Sequence, residues 1–378
     1  MQGGGHRFDP DTLHPVRVGV EAAVVAGQLV SGDVEVADGV VTAVGLAGRG
    51  SGVAAPGFVD LHIHGFGGVD FATADLAGYR RAGAALLRTG VTAFQPTFIT
   101  APLDELVASL GEVPRERIGP KVIGGHLEGP FISADRLGMH PANSRLDPDP
   151  EVLDRLLAAG PVTHMTLAPE LPGAAEAIAT LVGRGIVVSC GHTDATAAEA
   201  HASFDAGATL VTHLFNAMRP FRHRDPGIIG AALVRDDVAV ELILDGIHVA
   251  DEAARVAWRA AAGRLVLVTD ALAAAGVGDG RWRLGAVEVE VVDGIARGHD
   301  GVLAGSVLSM PQAIRNLVAL GVPLEQAVDA ATRVPASVAR RPDLGRLEPG
   351  ARADLVVLDD DLEVRRVLIA GATAFPVD

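Results

Sequence analysis

The chain has one cysteine, Cys190, and one lysine, Lys121, among its 378 residues. A single cysteine excludes an intrachain disulfide and fits a reducing compartment, where a lone buried thiol acts as a small hydrophobe. Long apolar runs are also missing: nothing approaches the roughly 18 to 20 residues that a membrane span needs. Residues 1–16 are polar and Gly-rich, without a signal-peptide core, so a cytoplasmic protein is expected. Positive charge is scarce, with 31 Lys and Arg against 47 Asp and Glu and a net charge of −16. That balance repels polyanions, so neither nucleic acid nor an anionic membrane is expected as a partner. The exception is Arg219, Arg222, His223 and Arg224, up to four positive charges within six residues. The cluster reads either as a solvated loop or as a site for an anion.

What is present is ample apolar material, 49% of the residues, enough for one large core with a smaller annex. Apolar, β-branched runs alternate with Ala/Leu-rich helical stretches from about residue 57 to about 342. The runs predict eight strands, at 58–64, 91–99, 122–128, 164–168, 186–191, 210–214, 240–245 and 265–269. Helices are predicted between them at 76–88, 103–110, 150–159, 174–184, 195–205 and 251–262. Eight strand-then-helix units imply an α/β fold, a (β/α)₈ TIM-type barrel over 57–342. A doubly wound sheet is the competitor, but no Gly-rich dinucleotide fingerprint follows the first strand. Short strands and turns at 1–56 and 343–378 predict one small β-sandwich domain built from both termini. Alternation over 281–297 (Val287, Val289, Val291) predicts a hairpin inserted after the eighth strand.

Six residues lie at or near the downstream ends of these strands: His62, His64, Glu128, His192, His213 and Asp270. In a closed parallel barrel such ends meet at one face, so residues distant in sequence converge there. His62 and His64, two apart on a strand, project from the same face and suit a borderline metal such as zinc, or form a hydrogen-bonded core pair. Asp60 shares that face and could orient a ligand histidine. A carboxylate at a strand end, as at Glu128, is costly unless something positive meets it. Asp270 beside a metal-activated water could take a proton and deliver it to a leaving nitrogen; alternatively it caps the next helix.

Several stretches, in order along nearly the whole chain, resemble the amidohydrolase superfamily and within it the N-acetylglucosamine-6-phosphate deacetylases. They include Gly57-Phe58-Val59-Asp60-Leu61-His62-Ile63-His64-Gly65, His126-Leu127-Glu128-Gly129-Pro130, Gly191-His192-Thr193, Thr212-His213-Leu214-Phe215-Asn216-Ala217-Met218, Leu244-Asp245-Gly246-Ile247-His248, Val268-Thr269-Asp270-Ala271 and Leu303-Ala304-Gly305-Ser306. His-x-His indicates only the superfamily; the Glu-Gly-Pro and His-Leu-Phe-Asn-Ala-Met stretches together are far more specific. Many superfamily members bridge two metals with a carbamylated lysine at a strand end. Lys121 lies at the start of the third strand, so the resemblance leaves the carboxylate to Glu128.

The resemblance implies hydrolysis of the acetamide of a phosphorylated amino sugar, with Asp270 as acid–base catalyst, in amino-sugar catabolism or cell-wall recycling. It implies a divalent metal, with Zn2+ favoured, on Glu128, His192 and His213. Because both histidines that some relatives replace are kept here, a second ion is expected on His62, His64 and a shared Glu128. Substrate contacts carried over are His140, Asn216, Ala217, His248 and Leu303, with Arg224 reaching the phosphate from the neighbouring subunit of a homodimer. The loop over 131–145 is expected to cover the substrate. The galactosamine epimer, or another cyclic-amide hydrolase or deaminase, is the nearest alternative. An inactive barrel scaffold would have lost ligands or Asp270, and none is missing.

Overall fold

The computed structural model describes residues 15–48 and 50–376. The parts of the expected terminal domain at 1–14, 49 and 377–378 lie outside the described residues, as does most of the polar start.

Eight parallel strands form the expected barrel: β1 (Phe58–Ile63), β2 (Val91–Ile99), β3 (Gly125–Glu128), β4 (Val162–Leu167), β5 (Val187–Cys190), β6 (Leu210–Val211), β7 (Ala239–Ile243) and β8 (Leu265–Val268). Each pairs in parallel with the next. The ring is brought nearly to closure by Asp270, whose N–H donates to the His62 carbonyl at 2.8 Å, and by a parallel bridge from Ile63 to Ala271. Helices follow the strands at Leu76–Leu87, Leu103–Gly111, Pro150–Ala159, Ala174–Gly183, Ala197–Asp205, Gly227–Leu233, Asp251–Ala260 and Met310–Ala319. Because helices cover the outer face and side chains fill the inner one, nearly every strand residue is buried.

Local chemistry explains where the elements stop. The fifth helix begins at Ala197, two residues after the expected start. Thr196 and Glu199 form a capping box there, each bonding the other's backbone. The expected third strand is split, with Lys121–Val122 and Gly125–Glu128 separated at Gly124, whose φ is +140°. Lys121 pairs with Ala93 and Glu128 with Ile99, so the lone lysine stands at the opposite end of the barrel from the carboxylate. The sixth and eighth strands end earlier than expected, because His213 and Asp270 leave the ladder with φ of 30° and 49°.

Both termini contribute to a six-stranded sheet, in the order Ala372–Pro376, Val364–Ile369, Leu355–Leu358, Val53–Pro56, Ala22–Val25, Gln28–Ser31. A three-stranded sheet (Val16–Arg17, Asp33–Ala37, Val40–Leu46) shares a core with it through Val18, Val34, Val41, Ala54 and Leu355. The expected hairpin after the eighth strand is a three-stranded antiparallel sheet, Gly280–Leu284, Val287–Val292 and Ile295–Gly298. Its apolar face, with Leu284, Val289 and Val291, packs on Ile99 and Leu272 at the barrel mouth. Among the described residues no helix is long and apolar enough to cross a membrane. Cys190 is buried at the end of β5, and burial pushes its thiol up to about 12, so it is inert at neutral pH.

The barrel interior below the strand ends is polar. His126 and His164 stack with ring centroids 3.7 Å apart. His126 Nε2 lies 2.8 Å from Thr166 Oγ1, and His164 Nδ1 lies 3.2 Å from Gln95 Oε1. Burial, with His62 nearby, lowers His164 to about 3.

Gly124→Ala places a Cβ 2.5 Å from the Thr163 side chain at a backbone angle that L-residues rarely adopt. It is expected to cost about 1–3 kcal/mol, read as a drop of several degrees in thermal midpoint; an unchanged midpoint contradicts the account. His164 refuses a proton that the unfolded chain accepts below pH ~6.5, so its contribution to stability is full above that pH and is lost as pH falls toward 3. His164→Gln should therefore show a smaller fall in thermal midpoint between pH 7 and pH 5 than the wild type. Parallel curves for the two proteins speak against it.

Candidate metal centre and cavity

The six strand-end residues meet. Glu128, at the end of β3, has Oε1 at 3.0 Å from both His192 Nε2 and His213 Nε2. Its Oε1 lies 3.5 Å from His62 Nε2, and its Oε2 lies 3.5 Å from His64 Nε2. Asp270 Oδ1 lies 2.9 Å from His64 Nε2 and 3.5 Å from His62 Nε2. All six are buried. Three of them, His192, His213 and Asp270, adopt left-handed φ angles of 47°, 30° and 49°. Each of these costs of order 1–3 kcal/mol and turns a side chain at a strand end across the barrel mouth.

The outer nitrogens decide what the inner ones can do. His64 Nδ1 donates to the Thr97 carbonyl at 3.2 Å, and His192 Nδ1 to the Arg136 carbonyl at 2.9 Å. His62 Nδ1 donates to Glu241 Oε2 at 3.1 Å. In a neutral ring each then carries a lone pair on Nε2. Those Nε2 atoms approach one another at 3.3 Å between His62 and His64, and at 3.1 Å between His192 and His213. Lone pairs at such distances repel unless a proton or a cation lies among them, and four imidazole nitrogens converging on Glu128 and Asp270 form a donor set that fits a divalent metal. Ligand atoms of His62, His64 and Asp270 lie within 4.8 Å of one another, and so do those of Glu128, His140 and His192. Burial works against charge on Glu128, but His62, His140 and His192 outweigh it and hold the carboxyl well below the usual carboxylate range. Burial also opposes charge on His62, where Glu128 and Asp270 prevail and raise its pKa well above the ordinary value. Asp270 is raised by burial and lowered more strongly by His62 and His64, to about 2.

Above these residues opens a cavity of about 340 Å³. Its walls include His140, Asn216, Ala217, His248 and Leu303, five of the six expected substrate contacts. Asp135 to His140, from the expected covering loop, form one side; the short helix Ala142–Ser144 is the only regular element between Glu128 and Pro150. His140 has both ring nitrogens engaged: Nδ1 accepts from the Thr100 N–H at 3.2 Å, and Nε2 faces Glu128 Oε2 at 3.4 Å. His248 Nδ1 lies 2.7 Å from Asp245 Oδ2. Burial lowers its pKa and Asp245 raises it by more, so Nε2–H is favoured as a donor toward the cavity. Arg224, the sixth contact, is exposed and outside the cavity lining of its own chain. The basic cluster is smaller than its composition implies, since Arg219 is paired with Asp194 at 2.8 Å and Asp225 at 2.9 Å.

One expectation is corrected. Asp60 touches no imidazole: its Oδ2 accepts from Thr269 Oγ1 at 2.6 Å and its Oδ1 from the His62 backbone N–H at 3.3 Å. Its position one layer below His62 sets it against β8's end, and burial raises it to about 7. The carboxylate on the His62 ring belongs to Glu241, in β7, which sequence reasoning missed. A Glu inside Ala239-Val240-Glu241-Leu242-Ile243 was the available signal, an acidic residue within an apolar buried run.

Comparison with known proteins agrees with this geometry. The amidohydrolase family profile matches residues 53–374. N-acetylglucosamine-6-phosphate deacetylase of Bos taurus is 41% identical over 350 residues, covering 87% of this chain and 85% of that protein. N-acetylgalactosamine-6-phosphate deacetylase of Escherichia coli O157:H7 is 37% identical over 361 residues, 92% of this chain and 96% of that one. Among solved structures, a mutant N-acetyl-D-glucosamine-6-phosphate deacetylase of Mycobacterium smegmatis, in complex with N-acetyl-D-glucosamine-6-phosphate, superposes with a TM-score of 0.90. It is 40% identical and covers 94% of this chain and 97% of its own. The chain belongs to the amidohydrolase family and, within it, to the N-acetylglucosamine-6-phosphate deacetylases.

Proposed function

We propose that the chain hydrolyses the acetamide of N-acetyl-D-glucosamine 6-phosphate to D-glucosamine 6-phosphate and acetate, in amino-sugar catabolism or cell-wall recycling in the cytoplasm. The carrying observation is the meeting of four imidazole Nε2 atoms with Glu128 and Asp270 beneath a cavity walled by Asn216, Ala217 and His248. The galactosamine epimer is a second reading, favoured by the extent of the match to the Escherichia coli protein.

Two divalent ions, Zn2+ by donor chemistry, are assigned to Glu128, His192 and His213 and to His62, His64 and a shared Glu128, with Asp270 beside the second group. A divalent ion bound there would supply Lewis acidity toward water and the amide carbonyl. Asp270, ionised at neutral pH, takes the proton as water oxygen bonds to the carbonyl carbon, then delivers it to the amine nitrogen as the C–N bond breaks. His248 donates from Nε2 to the carbonyl oxygen or a sugar hydroxyl. His140 and Leu303 bound the sugar, and the loop over 131–145 keeps water out. Asn216 and the Ala217 backbone bind the phosphate together with Arg224 of a neighbouring subunit, whose planar guanidinium suits bidentate phosphate binding. The exposure of Arg224 supports this arrangement, as does the neutralisation of Arg219 by its own acidic partners.

Acetate release from the 6-phosphates of N-acetylglucosamine, N-acetylgalactosamine and N-acetylmannosamine tests the reading. The glucosamine compound should be turned over fastest, and Asp270→Asn should lower kcat by about 10²–10⁴. Turnover of none of the three, or full activity in Asp270→Asn, sinks the proposal. Arg224→Ala should raise KM for the phosphorylated sugar about tenfold or more, with little change for unphosphorylated N-acetylglucosamine. At substrate well below the wild-type KM, mixing Arg224→Ala subunits with Asp270→Asn subunits should give more activity than the sum of the two alone, because one site per mixed dimer regains both groups. No recovery on mixing places Arg224 in its own subunit's site.

A further inference from the structure

Glu241 is a buried carboxylate to which the reaction gives no task. It lies within β7, its side chain is 0% exposed, and Oε1 has no partner. Oε2 accepts from His62 Nδ1–H at 3.1 Å and from the His213 backbone N–H at 3.4 Å. Among the described residues no Arg or Lys pairs with it. Burying a carboxylate with one oxygen unpartnered is costly, and an apolar residue would fill this barrel position without that cost. The other imidazoles are oriented differently: His64 and His192 lean on neutral backbone carbonyls, and His213 Nδ1 has no partner. Among the described residues His62 alone of the four has a carboxylate behind it.

We propose that Glu241 is the positioning residue for the ion held by His62 and His64. It fixes His62 as the Nδ1–H tautomer and aims Nε2 into the centre. This inference rests on the two-ion reading above. Occupancy of the second ion, and not of the first, therefore depends on Glu241.

The test is metal binding to chelator-stripped full-length protein, titrated with Zn2+ against a chromophoric chelator. The wild type should bind two ions. Glu241→Leu should weaken one of them about 10–100-fold and leave the other within about twofold. Glu241→Gln, isosteric and still able to accept from Nδ1–H but uncharged, should weaken the same ion by less, and it decides the matter should Glu241→Leu not fold. Adding Glu241→Gln to His62→Asn, which lacks that ion, should change nothing further. Two ions at wild-type affinity in Glu241→Gln and Glu241→Leu, or equal weakening of both ions, overturn the role of Glu241 alone. A wild type that binds a single ion overturns the two-ion reading and this proposal with it.

Discussion

Three carboxylates, Glu128, Asp270 and Glu241, are buried inside the barrel, and among the described residues none has an arginine or lysine partner. Carboxylates in that position are tolerable only where positive charge and hydrogen-bond donors are delivered to them. The four imidazoles supply donors and lone pairs together, and a divalent cation is the group that satisfies both. Nearly every other feature of the centre follows from holding those imidazoles at fixed angles. Strained backbone at His192, His213 and Asp270 aims side chains that a regular strand would point elsewhere. Such strain persists because the closed ring of buried strands leaves the chain no cheaper path.

The interior below the centre is built to the same end. A layer containing His126, His164, Gln95, Thr97 and Thr166 binds itself together by side-chain hydrogen bonds, where an apolar layer would pack without direction. Thr97 joins this layer to the centre, since its hydroxyl contacts His126 while its carbonyl orients His64. Hydrogen-bonded buried polar groups specify one arrangement more sharply than apolar packing does, although His164 Nε2 in this layer has no partner.

The strand order and the six converging residues were legible because period, length and terminal position repeat along the chain and need only local reading. What escaped depends on register between strands. Asp60 lies two residues from His62 and looked like its support, yet the end of β8 brings Thr269 to its carboxylate and β7 brings Glu241 to the imidazole. Glu241 on its own reads as any charged residue in a strand. Only the barrel's closure decides that it points inward, because a shift of one residue would send it outward. The break at Gly124 was hidden for a similar reason: the apolar run continues, while the close approach of Thr163 is a fact of the next strand.

The loop over the cavity belongs to the centre as much as to the substrate. The Arg136 carbonyl receives Nδ1–H of His192, and its guanidinium grips Asp194, two residues further on, at 2.6 and 2.8 Å. Asp194 in turn holds Arg219, which holds Asp225 beside Arg224. One run of charge-assisted contacts thus links the wall that encloses a ligand, an imidazole of the centre and the basic loop outside it. Displacing the loop would free a ring nitrogen of His192 as well as admit water. The wall of the cavity and the orientation of an imidazole of the centre therefore share one set of contacts in this barrel.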